Sequence, residues 1–129
     1  MSNQGIGQSY WYLATPYSKY PGGLDAAFVL AAKGAAACVR AGVPVFSPIT
    51  HTHPVAIHGG IDPYDHAIWL PADAPLMRQA RGLIVLTAEG WRESYGIGVE
   101  IAEFERLVRP IHYMAPFDVP AGLLSAAAI

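Results

Sequence analysis

The sequence predicts an α/β fold, with a parallel sheet of four to five strands and helices on both faces. Three observations point there. Short apolar or aromatic runs alternate with helical stretches along all 129 residues. The clearest run, Gly82 to Thr87 ("GLIVLT"), is apolar without a break, as a strand covered on both sides requires. Hydrophobic residues make up 53% of the chain and charged residues 14%, so one sizeable core is available. The surplus of apolar residues points to burial against further copies, a homodimer or higher homo-oligomer.

Taken in order, "YWYLAT" (Tyr10 to Thr15) reads as the first strand, and the turn-rich "PYSKYPGG" follows it. Asp25 is placed to cap a helix from Ala26 to Arg40, which Gly42 and Pro44 end. Lys33 and Arg40 are its only charges, so most of its surface is expected to be buried. "PVFSPI" reads as a second strand. His51 to Pro63 then reads as a long irregular loop with three histidines, and loops of that length are usually functional. Tyr64 to Arg81 has helical spacing at Ile68, Trp69, Leu76 and Ala80, but Pro71 and Pro75 are expected to break it. After "GLIVLT" come a glycine-rich turn, a helix, a strand "PIHYM" and an apolar tail. All of residues 1–129 is expected to form a single domain.

Several classes are excluded by composition. A net charge of −2 provides no basic footprint for nucleic acid and no polybasic stretch for a membrane surface. The opening "MSNQGIGQSYW" does not read as a signal peptide, and the longest apolar stretch, Ala26 to Val39, is too short to span a bilayer. The single cysteine, Cys38, suits a reducing cytoplasm and the interior of its helix.

In parallel sheets ligands gather beyond the carboxyl ends of the strands, here the loops after Thr15, Pro48 and Thr87. The last of these runs into "GWRESYGIGVEIAEFERL", residues 90 to 107. On a wheel of ~100° per residue, Ile97, Ile101, Phe104 and Val108 form the buried stripe, and Glu100 falls about 60° from Ile97, on its edge. Glu100 is therefore the helix carboxylate expected to be half-buried at the site, and the helix dipole is expected to keep it ionised. Gly96 and Gly98 leave the backbone open to a ligand. Ser94 reads equally as a plain helix cap and as an anion-binding hydroxyl.

"YLATP" at the first strand, the ordered Trp69, Asp73, Leu76, Met77 and "LIVL" in the middle, and "GWRESYGIGVE" afterwards resemble the nucleoside 2-deoxyribosyltransferase superfamily, which includes nucleotide N-glycosidases. The resemblance runs from about residue 10 to 113, and its strongest part is the order and spacing of Asp73, Ser94, Gly98 and Glu100. It implies a flavodoxin-like or Rossmann-like sheet and a retaining mechanism at the anomeric carbon of a nucleoside. Glu100 matches the nucleophile, and Asp73 the acid that protonates the departing base or orients the sugar. Ser94 stands where the nucleotide hydrolases hold a 5′-phosphate and the transferases carry an acid. That difference tilts the expected substrate toward a nucleoside 5′-monophosphate.

The transferases complete their site with an asparagine of a neighbouring subunit. The only asparagine here is Asn3, so that contribution is absent or replaced. Tyr17, Ser18 and Lys19 after the first strand, and Trp91 and Arg92 after the third, are candidates for substrate contact, with packing as the alternative for Tyr17 and Trp91. No cofactor is expected.

The histidines allow a different class. His51 and His53, with His58, His66, Asp62 and Asp65 nearby, hold metal-binding residue types, but their spacing matches no zinc signature. Substrate contact from His51, on a loop over the site, or hydrogen bonds that order that loop, are the preferred readings, and no metal is expected. Three functions follow in order: an N-glycosidase or deoxyribosyltransferase, a nucleotide-binding module without turnover, and a metal-dependent hydrolase.

Overall fold

The computed structural model describes residues 9–123. Asn3 and the end of the apolar tail lie outside the described residues. The elements are β1 (Trp11–Ala14), α1 (Leu24–Arg40), β2 (Val45–Phe46), α2 (Pro48–Gly59), α3 (His66–Gln79), β3 (Gly82–Leu86), α4 (Tyr95–Arg106) and β4 (Ile111–Met114). All four strands are parallel, in the order β2-β1-β3-β4. Among the described residues no helix is long and apolar enough to cross a membrane.

The alternation of side chains along the two central strands builds two cores. Trp11, Leu13, Ile84 and Leu86 pack with Leu30 and Cys38 of α1 on one face, where Met114 and Leu123 join them. Tyr12, Ala14, Leu83 and Val85 pack with Met77 of α3 and with Ile97 and Phe104 of α4 on the other. The sheet is thus covered on both sides, and this is why β1 and β3 are apolar at every position rather than every second one. Each large apolar side chain so buried stabilises by about 1.5–3 kcal/mol. Cys38 is fully buried, and burial raises its thiol pKa, which keeps it inert.

Four sequence expectations are corrected. Residues 51 to 59 belong to a helix rather than to a loop. Ser47 caps it, its Oγ accepting from Thr50 N at 3.4 Å, and Pro48 stands at the first helical position, where its missing N–H costs nothing. Gly60, at φ 73, ends it. Pro71 and Pro75 lie inside one continuous helix, α3, capped by Asp65. Burial of Met77 on its other side holds it together against the two lost hydrogen bonds. At α1 the preceding residue is Gly23, with φ 95 and no side-chain cap, while Asp25 sits within the first turn and reaches elsewhere. Val108 does not join the buried stripe: α4 stops at Arg106, and Val108 turns the chain at φ 56 with 90% of its surface exposed.

Candidate functional site

The cleft lies where β1 and β3 send the chain in opposite directions across the sheet. Four segments form its walls, beginning with Thr15, Tyr17 and Ser18 just past β1. The first two turns of α2 add Pro48, Ile49 and Thr52; the inner side of α3 adds His66, Trp69, Leu70 and Asp73; and the start of α4 adds Ser94, Gly96 and Glu100. About 710 Å³ of space lies between these walls, the open solvent at the mouth included.

Glu100 and Asp73 are both 8% exposed. Burial pushes the Glu100 carboxyl up to about 8, the neighbouring Tyr12 pulls it down, and the Asp73 charge pushes it up again. Asp73 is pushed up to about 6, first by burial, while charge on His51 draws it back. At neutral pH in the open cleft Glu100 therefore holds a proton and Asp73 does not. This reverses the expectation that the helix dipole keeps Glu100 ionised. Glu100 lies beyond the first turn of α4, where the dipole has faded, and loss of water around the carboxyl outweighs it.

The Tyr12 hydroxyl is fully buried beside Glu100, near enough to act on its charge, yet it closes no hydrogen bond of ordinary geometry with a described residue. Burial, followed by the Glu100 and Asp73 charges, raises the Tyr12 phenol far above its usual range, so it stays protonated. The Thr15 hydroxyl is also buried and without a partner among the described residues.

Ser94 caps α4, its Oγ accepting from Ile97 N at 3.2 Å. That leaves its hydroxyl hydrogen and the nearby backbone N–H groups available at the cleft. Glu100, Asp73, Ser94, Gly96, Tyr17 and Ser18 thus come together as the sequence suggests.

Five other candidates lie outside the lining. Lys19 is exposed, and its carbonyl faces Gly90 instead. Gly98 is exposed on the outer side of α4. Trp91 packs against Tyr113, with Arg92 over its other contact surface at 5.0 Å from the ring centre. His51 is exposed beside Phe46, and only its charge reaches Asp73.

Sequence reading missed Thr52, His66 and the cleft-facing role of Trp69, because α2 looked like a loop and α3 like fragments. Trp69 is no core residue: it is half-buried, and its Nε1 donates to the Asp62 carbonyl at 2.9 Å. The histidines diverge, His53 toward Tyr17 and Asp25 and His66 against Tyr95. Among the described residues no three His, Cys, Asp or Glu side chains gather as a metal site.

The match to known proteins follows the same span. Residues 9–116 match the family described as a domain of unknown function (DUF1937). No curated protein matches the chain. The matched segment takes in all four strands and every cleft residue named above, so the chain belongs to the DUF1937 family.

Proposed function

We propose that the protein cleaves, or transfers across, the N-glycosidic bond of a nucleoside or nucleoside 5′-monophosphate. One observation carries the reading: two buried carboxyls, close enough for the charge of Asp73 to act on Glu100, share a cleft at the carboxyl end of the sheet. Departure of a base builds positive charge at C1′, and a close carboxylate stabilises or traps it. In the first step a Glu100 oxygen bonds to C1′, the bond from C1′ to the base nitrogen breaks, and a proton passes from Asp73 to the base. In the second, water or an acceptor base attacks C1′ and gives its proton to Asp73, the glycosyl ester breaks, and both the Glu100 carboxylate and the Asp73 acid are regenerated. The free site holds its proton on Glu100, so the reactive form is the one with the proton moved to Asp73.

Ser94, with its free hydroxyl hydrogen at the start of α4, is suited to a 5′-phosphate. Partners on this reading are the small molecule and a second copy of the chain, for which Val29 and Val39 on α1 leave apolar surface exposed. The compartment is the cytoplasm, in keeping with a lone buried cysteine.

The test is chromatographic detection of free base after incubation with ribo- and deoxyribonucleosides and their 5′-monophosphates, with and without a second base. Release by the wild type and none by Glu100→Ala supports the reading; no release from any compound defeats it. A nucleotide-binding module without turnover is the second reading, favoured by the proton on Glu100 at neutral pH. Calorimetric binding without release would establish it.

A further inference from the structure

The cleft wall formed by Tyr17 has its polarity set from outside the cleft. The Tyr17 hydroxyl lies 2.6 Å from Nδ1 of His53 on α2. The other ring nitrogen, Nε2, lies 3.1 Å from Oδ1 of Asp25 in the first turn of α1. His53 is 6% exposed, and Phe28 stacks on it at 4.8 Å and 25°, which fixes the ring plane. Three segments distant in sequence therefore meet in one hydrogen-bonded chain.

The donors and acceptors in that chain are constrained. A carboxylate only accepts, so the nitrogen facing Asp25 carries the hydrogen. In the neutral ring Nδ1 is then bare, and Tyr17 gives its single hydroxyl hydrogen to it. We infer that Tyr17 offers the cleft an oxygen that only accepts hydrogen bonds, held in that state by His53 and Asp25, and that it selects a ligand hydroxyl at this wall. Tyr17 is a binding residue on this account; His53 and Asp25 are positioning residues.

An acceptor oxygen at this wall pairs with a ligand donor and gives nothing to an ether oxygen; in the sugar of a nucleoside the donors are hydroxyls. For the identity of that hydroxyl, a sugar hydroxyl, the inference rests on the glycosidic reading.

Two measurements test it. The first needs no ligand: two-bond proton–nitrogen spectra of protein carrying ¹⁵N-histidine, taken with the ring neutral. The expected result is hydrogen on Nε2 of His53 and a bare Nδ1 whose resonance moves in Tyr17→Phe. Hydrogen on Nδ1 of the neutral ring overturns the inference.

The second is calorimetry on protein stopped at Glu100→Gln, with adenosine, cytidine, guanosine and uridine, their 5′-monophosphates, and the 2′-, 3′- and 5′-deoxy counterpart of each nucleoside. One deoxy position is expected to weaken binding about tenfold. Tyr17→Phe and His53→Ala should erase that ratio. His53→Asn, whose Oδ1 takes the place of Nδ1, should keep it. Equal weakening of every compound by Tyr17→Phe assigns the residue to packing and overturns the inference. Failure of every nucleoside and every 5′-monophosphate to bind, with Nδ1 bare, defeats the glycosidic reading and the sugar with it, while the acceptor assignment stands.

Discussion

Glu100 and Asp73 hold their protons in an order that shapes how the reaction responds to pH. Attack needs Glu100 ionised, a form that grows until pH exceeds about 8. Proton delivery needs Asp73 protonated, a form that is lost above about 6. The product of the two is a bell whose limbs lie near those values and belong to the pair. Measured as kcat/KM from pH 5 to 9.5, the rate should rise, level and fall. Asp73→Asn should remove the falling limb, and a rate that keeps rising past pH 9 in the wild type rules out Asp73 as the proton donor. Glu100→Gln should lower base release by ~10³-fold or more, because the amide cannot form the glycosyl ester.

At the scale of elements, the site depends on two loops meeting at Gly90. This residue follows β3 with φ 89, and a Cβ there would come 2.5 Å from the Lys19 carbonyl oxygen, in the loop after β1. Both are backbone features that cannot give way. Gly90→Ala should cost about 1–3 kcal/mol, read as a lower urea midpoint, and should lower kcat/KM because Tyr17 and Ser94 sit on those loops. An unchanged midpoint would mean the loops are not braced there. Within α3, Pro75→Ala restores a donor to the helix interior and should raise the midpoint, by up to ~3 kcal/mol, with Asp73 still in place. A lower midpoint would show that the proline ring itself supports the helix.

The same elements show what the sequence makes legible. β3 is readable because a strand covered on both faces must be apolar throughout, and Glu100 because its place on the helix wheel follows from spacing alone. α2 carries a sound start signal in Ser47 and Pro48, but Pro54 and the histidines argue locally against a helix that tertiary packing sustains. The prolines of α3 mislead in the same way. The Tyr17–His53–Asp25 chain has no sequence signal at all, since its members are 36 and 28 residues apart and meet only through the packing of α1 on α2.

For the whole molecule, burial of the two carboxyls makes folding depend on pH in an unusual direction. Glu100 rises from an ordinary 4.5 to about 8 and Asp73 from 3.8 to about 6, so the folded chain binds protons more tightly than the unfolded one. Their contribution is fully present below about pH 4, where both states are protonated. It falls as pH rises, through about 6 for Asp73 and about 8 for Glu100, by on the order of a few kcal/mol in all. Most domains instead gain stability over the acid part of that range, because their carboxylates are paired. Exposed groups of this chain titrate as well, but they do so identically in a variant that differs only at position 100. Glu100→Gln resembles the protonated acid at every pH. Calorimetric melting at pH 4, 5, 6, 7, 8 and 9 should therefore give curves that lie closest at pH 4 and separate up to about pH 8, the variant being the more stable from there on. A domain of this size shifts by roughly 4 °C per kcal/mol, so the separation is well within reach. Parallel curves would mean that Glu100 titrates as it does in water, and the buried carboxyl pair on which the proposed chemistry depends would have to be given up.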